Sequence, residues 1–111
     1  MAYEGMLIEF PPTREDWTGA EQSKLDRLRA GVRDVAFAEF ECNHTDEGDP
    51  WCIIRDRDKD TIIVHIARIN RRYVVVTSHD NRLVKSMTLE AAVDRALAAL
   101  RRAAAKYSMA G

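Results

Sequence analysis

The chain is predicted to fold as α+β, with an N-terminal helix, a four-stranded antiparallel meander and a C-terminal amphipathic helix packed on one sheet face. Three observations carry that expectation. An apolar stripe of helical period with a capping signal begins at Thr18. Runs of strand character separated by turn residues fill 36–78, at a spacing of about eight to twelve residues. A second helical stripe runs from Leu89 to Tyr107. With 111 residues, 46% of them hydrophobic and 32% charged, the chain fits one domain, 1–111. A domain of this size buries roughly two thirds of its extended-chain surface on folding.

The elements follow in order. Met6 to Phe10 reads as a short edge strand stopped by Pro11-Pro12, which supply no ladder donors. The first helix starts at Thr18, whose hydroxyl caps the backbone while Glu21, three residues on, completes a capping box. Leu25, Leu28, Val32 and Val35 form its stripe, with Lys24, Asp26, Arg27, Arg29 and Arg33 outside it. Inside a helix Gly31 costs about 1 kcal/mol relative to Ala, so it marks either a close packing contact or an early helix end.

In AFAEFECNH, alternation places Ala36, Ala38, Phe40, Cys42 and His44 on one face and Phe37, Glu39, Glu41 and Asn43 on the other. The spacer Thr45 to Pro50 is a turn by its Asp, Gly and Pro, and WCIIRD is the next strand. Arg57-Asp58-Lys59-Asp60 then turns the chain into a long hairpin, TIIVHIARINRRYVVVTS, joined at Asn70-Arg71. After a turn at His79-Asp80-Asn81, a brief extended piece from Arg82 to Lys85 leads to the last helix, capped by Thr88. Leu89, Ala92, Val93, Ala96, Leu97, Leu100, Ala104 and Tyr107 make its stripe. Glu90 at its start and Arg101, Arg102 and Lys106 near its end complement the helix dipole.

The long hairpin carries the functional expectation. Ile62, Val64 and Ile66 point one way, and Ile63, Ala67 and Ile69 the other; Tyr73 and Val75 oppose Val74 and Val76. A small antiparallel sheet with one wet face alternates apolar and polar, so apolar character on both sides implies cover on both. Two helices cover one face and leave the other for a second surface. The chain therefore reads as a small interaction module, homodimeric through its sheet, with Ile63, Ala67, Ile69, Val74 and Val76 in contact. Trp17 or Trp51 would serve as aromatic anchors. The competing arrangement is a monomer whose helices divide between the faces, or whose N-terminal segment covers the second one.

Net charge is −1, but residues 1–50 carry 5 Lys and Arg against 12 Asp and Glu, while residues 51–111 carry 12 against 6. Either the two halves neutralise each other within one fold, or the basic half meets an acidic protein partner. The near-zero total argues against general attraction to nucleic acid or to anionic membrane. No apolar run approaches the roughly 20 residues of a membrane span. The start, MAYEGMLIEFPP, lacks the charged region and apolar length of a secretory signal. A cytoplasmic location with reduced cysteines is the expectation.

Several constellations compete with the interaction reading. Cys42, His44, Cys52 and His65 would suit tetrahedral zinc if the strand registers gather them, although no CxxC clustering supports it. Cys52 and His65 would pair as nucleophile and base with Asp49 or Asp56 orienting the imidazole, but nothing in the sequence places those carboxylates there and no nucleophile-elbow signature is present. Arg68, Arg71 and Arg72 crowd a hairpin tip beside Tyr73, a lesser expectation of nucleic-acid binding. Asp46, Glu47 and Asp49 read as a solvated turn. Asp56, Asp58 and Asp60 mimic a calcium loop, yet Thr61 stands where glycine is needed and Ala67 where the bidentate Glu belongs. No phosphate-cradling, dinucleotide-binding, zinc-protease or nucleophile-elbow motif is present, so the reading points away from an enzyme and from any resident cofactor.

Overall fold

The computed structural model describes residues 17–78, 82–86 and 88–110. The strand expected at Met6 to Phe10 and the turn at His79 to Asn81 lie outside the described residues. The elements are α1 (Gly19–Arg33), β1 (Ala38–His44), β2 (Pro50–Asp56), β3 (Thr61–Ile69), β4 (Arg72–Thr77), β5 (Arg82–Ser86) and α2 (Leu89–Ala110). The strands form one antiparallel sheet in sequence order. The α+β expectation holds, with one addition: the brief extended piece after the long hairpin is a fifth strand, paired along β4 from Tyr73↔Ser86 to Thr77↔Arg82.

The capping box forms as the sequence implies. Glu21 N–H donates to the Thr18 hydroxyl (3.2 Å) and Thr18 N–H to the Glu21 carboxylate (2.8 Å). Leu25, Leu28 and Val32 are buried. Val35 lies past the helix end, packed against the core. On α2, Leu89, Ala92, Val93, Ala96, Leu97, Ala99 and Leu100 are buried, with Ala103, Ala104 and Tyr107 packed on the same core. Both helices cover one sheet face, whose core is Phe40, Cys52, Ile54, Val64, Ile66 and Val75. No helix among the described residues is long and apolar enough to cross a membrane.

Gly31 is a packing glycine, since α1 continues to Arg33 and a Cβ added at Gly31 would lie 2.6 Å from a Leu97 δ-methyl. Gly31→Ala gains about 1 kcal/mol of helix propensity. It gives back about 0.5–1.5 kcal/mol by turning Leu97 from its rotamer. Urea unfolding should therefore show a near-neutral Ala variant. Gly31→Val, which adds branched bulk, should lose about 1–3 kcal/mol.

Two local departures decide which side chains face where. Ile54 pairs with Val64 but Arg55 pairs with Ile62, so Ile63 is an extra residue, a β-bulge in β3. The insertion turns Ile63 into the core at 5% exposure and leaves Ile62 on the opposite face at 49%. The expected assignment of those two isoleucines is thus reversed. Phe37 also departs from simple alternation. It precedes β1 in a turn and stacks on Tyr107, with ring centroids 4.0 Å apart, instead of joining Glu39 and Glu41.

The turns are chemically specific. Asn70 and Arg71 both have positive φ (52° and 65°), the signature of a two-residue type I′ hairpin turn. Asp56 accepts from Asp58 N–H and Lys59 N–H, both at 3.0 Å, and from the Tyr107 hydroxyl at 2.7 Å. That carboxylate shapes its own turn and anchors α2. Burial alone would raise its pKa, but these hydrogen bonds outweigh burial and hold it below the usual carboxylate range; the same bond pushes Tyr107 up to about 12.

Candidate functional site

The sheet face away from the helices is built from alternate residues of all five strands. Residues paired directly across an antiparallel ladder share a face. One row runs Glu41, Ile53, His65, Val76 and Leu83, and the next runs Asn43, Trp51, Ala67, Val74 and Lys85. Glu39, Arg55 and Ile62 lie beyond one end, and Ile69 and Arg72 beyond the other. Ile62 (49%), Ile69 (40%) and Leu83 (58%) are the exposed large hydrophobics among the described residues, and all three occupy this face. Of the residues expected there, Ala67, Ile69, Val74 and Val76 are present; Ile63 is replaced by Ile62.

Trp51 is half-buried on this face, edge-on to His65 with ring centroids 5.9 Å apart. Burial lowers the His65 pKa, and its buried Nε2 has no hydrogen-bond partner among the described residues. Trp17, the other expected anchor, is instead in the helix-side core at 6% exposure, with the Arg68 guanidinium 5.8 Å from its ring centre.

Three acids of the first half meet cations of the second half within the fold. Glu41 pairs with Arg55 at 2.5 Å and Glu39 with Arg57 at 3.7 Å. Glu21, on the apolar stripe of α1, pairs with Arg68 and accepts from the Tyr73 hydroxyl at 2.6 Å. Burial works against the Glu21 carboxylate, but the bonds from Tyr73, Thr18 and Arg68 outweigh it and lower its pKa. Tyr73 is pushed up to about 12 by burial and by that same bond. Arg68 is therefore a structural cation on the helix-covered face, separated from the tip where Arg71 and Arg72 are exposed.

The proposed metal ligands are divided. Cys42 pairs directly with Cys52, and their sulfurs are 2.6 Å apart. His44 lies two residues further along β1, exposed. His65 pairs with Ile53, one position from the register that would bring it beside Cys52, and so lies on the opposite face. This also separates the Cys52 and His65 nucleophile pair. No group of three or more Cys, His, Asp or Glu side chains converges as ligands among the described residues. The hydrogen bond with Cys42, together with burial, raises the Cys52 thiol pKa far above its ordinary value.

Sequence reasoning missed Glu21 as a buried carboxylate, although Glu21, Leu25 and Leu28 share one helical face. Comparisons with known protein families, with curated proteins and with solved structures find no match to this chain.

Proposed function

We propose that this protein is a self-association module in which two copies pack their open sheet faces together. The observation that carries the reading is the segregation of exposed Ile62, Ile69 and Leu83 onto the one face that neither helix covers. Large exposed apolar patches on a soluble fold mark interaction surfaces.

A second copy presents the same apolar rows and so fits that face in polarity. At its β1 margin Glu39 and Glu41 are balanced by Arg57 and Arg55 of the same chain, and its β5 margin carries Lys85. A two-fold axis parallel to the strands lays β1 of one copy over β5 of the other, so Glu41 and Asn43 face Leu83 and Lys85. Such an interface is self-complementary, as a two-fold dimer requires. The net charge of −1 sets no long-range repulsion against pairing.

Sedimentation equilibrium of the wild type tests this. A mass of twice the 12.6 kDa chain at micromolar concentration is the expected result. A single-chain mass throughout that range would reject self-association and leave the face to a different partner.

A further inference from the structure

The cysteine pair is independent of the sheet-face proposal. Arg57 N–H donates to Phe37 O at 2.8 Å just before β1, and Thr45 N–H to Asp49 O at 2.9 Å just after it. Bonded and non-bonded pairs alternate along an antiparallel ladder, so Phe37 with Arg57 and Thr45 with Asp49 place Cys42 and Cys52 in a non-bonded pair. There the Cα atoms approach to about 4.5 Å, within the range a disulfide spans. The two thiols also differ in access. Cys42 is exposed on an edge strand with the Arg29 guanidinium 3.9 Å from its sulfur, whereas Cys52 is 1% exposed beneath the helices.

We propose that Cys42 and Cys52 form a peroxide-reactive dithiol, with Cys42 attacking and Cys52 resolving. The Cys42 thiolate, beside Arg29, attacks the O–O bond of a hydroperoxide. A sulfur–oxygen bond forms, the O–O bond breaks, and the departing alkoxide takes a proton to leave as alcohol, or as water from hydrogen peroxide. The Cys52 sulfur then attacks the Cys42 sulfenic acid, forming the S–S bond and releasing water that carries the Cys52 proton. Two thiols and one hydroperoxide thus give one disulfide, one alcohol and one water; the cysteines are oxidised and the peroxide is reduced. The product joins edge strand β1 to β2 without requiring a strand to change partners.

Intact-mass spectrometry of the full chain after limited hydrogen peroxide tests the assignment. The expected wild-type product has lost two hydrogens, has no titratable thiol, contains a Cys42–Cys52 peptide and returns to the starting mass with dithiothreitol. Cys52→Ala should instead accumulate a dimedone-reactive sulfenic acid at Cys42, and Cys42→Ala should leave Cys52 as a thiol. Wild type that stays reduced, or that takes up oxygen at Cys42 without forming the bridge, would overturn the proposal. If Cys52→Ala fails to fold, Cys42→Ala decides the order of attack, because first attack at Cys52 would leave an oxidised Cys52 in that folded variant.

Discussion

Glu21→Ala is expected to be the most destabilising single substitution at a polar position of this chain, lowering stability by about 3–5 kcal/mol. The glutamate is 8% exposed and serves three partners at once: Thr18 N–H, the Tyr73 hydroxyl and Arg68. Alanine removes half of the capping box, withdraws the acceptor from a half-buried phenol and takes the carboxylate from a largely buried guanidinium. Glu21→Gln keeps an acceptor of the same size and loses the charge, so its cost should be nearer about 1–3 kcal/mol. Urea unfolding should show a lower midpoint for both, with Ala the lower and the slope unchanged.

Acid should act through the same group. The folded-state pKa of Glu21 lies below its unfolded value of 4.5, so the stability it contributes is complete above that value. It is lost as pH falls through the lower folded value. Asp56 follows the same sign, with an ordinary value of 3.8. Stability should therefore fall with acidification below the ordinary carboxylate range, and Glu21→Gln should flatten that fall. A wild type and variant with parallel pH profiles would contradict the assigned role.

The second large effect concerns the open face. Ile69→Glu combined with Leu83→Glu is expected to dissociate the proposed dimer while leaving the monomer folded. An uncompensated charge buried at a dry contact costs about 3 kcal/mol or more. Each such charge raises the dissociation constant on the order of a hundredfold. The positions are 40% and 58% exposed in the single chain, so monomer stability should move by no more than about 0.5 kcal/mol each. Sedimentation of the double variant at a concentration where wild type is paired checks the outcome. A double variant that remains paired would place the contact elsewhere.

The helices were legible because their signals are local: a capping box at Thr18 and Glu21, apolar spacing on both helices, and a Thr88 hydroxyl that accepts from Ala91 N–H as the N-cap. The Cys42 and Cys52 pairing was also legible, since a hairpin closing on Thr45 to Asp49 puts the two opposite. What escaped depended on a neighbouring strand. The bulge at Ile63 exists only relative to Ile54 and Arg55, and one inserted residue exchanged the faces of Ile62 and Ile63. His65 missed the sulfurs for the same kind of reason, a one-position difference in pairing. Phe37 was misplaced because strand alternation was carried back into a turn. Arg68 was grouped with Arg71 and Arg72 by sequence proximity, although the pleat sends it to Glu21 and the other two stay at the tip.

The measurement that bears most directly on the sheet-face dimer is an isotope-filtered NOE experiment on an equal mixture of labelled and unlabelled chains. The account expects Ile62 and Ile69 methyl groups of β3 in one copy to contact Ile62, Ile69, Trp51, Val74 or Val76 in the other, and Leu83 methyl groups to contact Glu41 or Asn43. Intermolecular contacts confined to the helices, or none to these methyl groups, would contradict it.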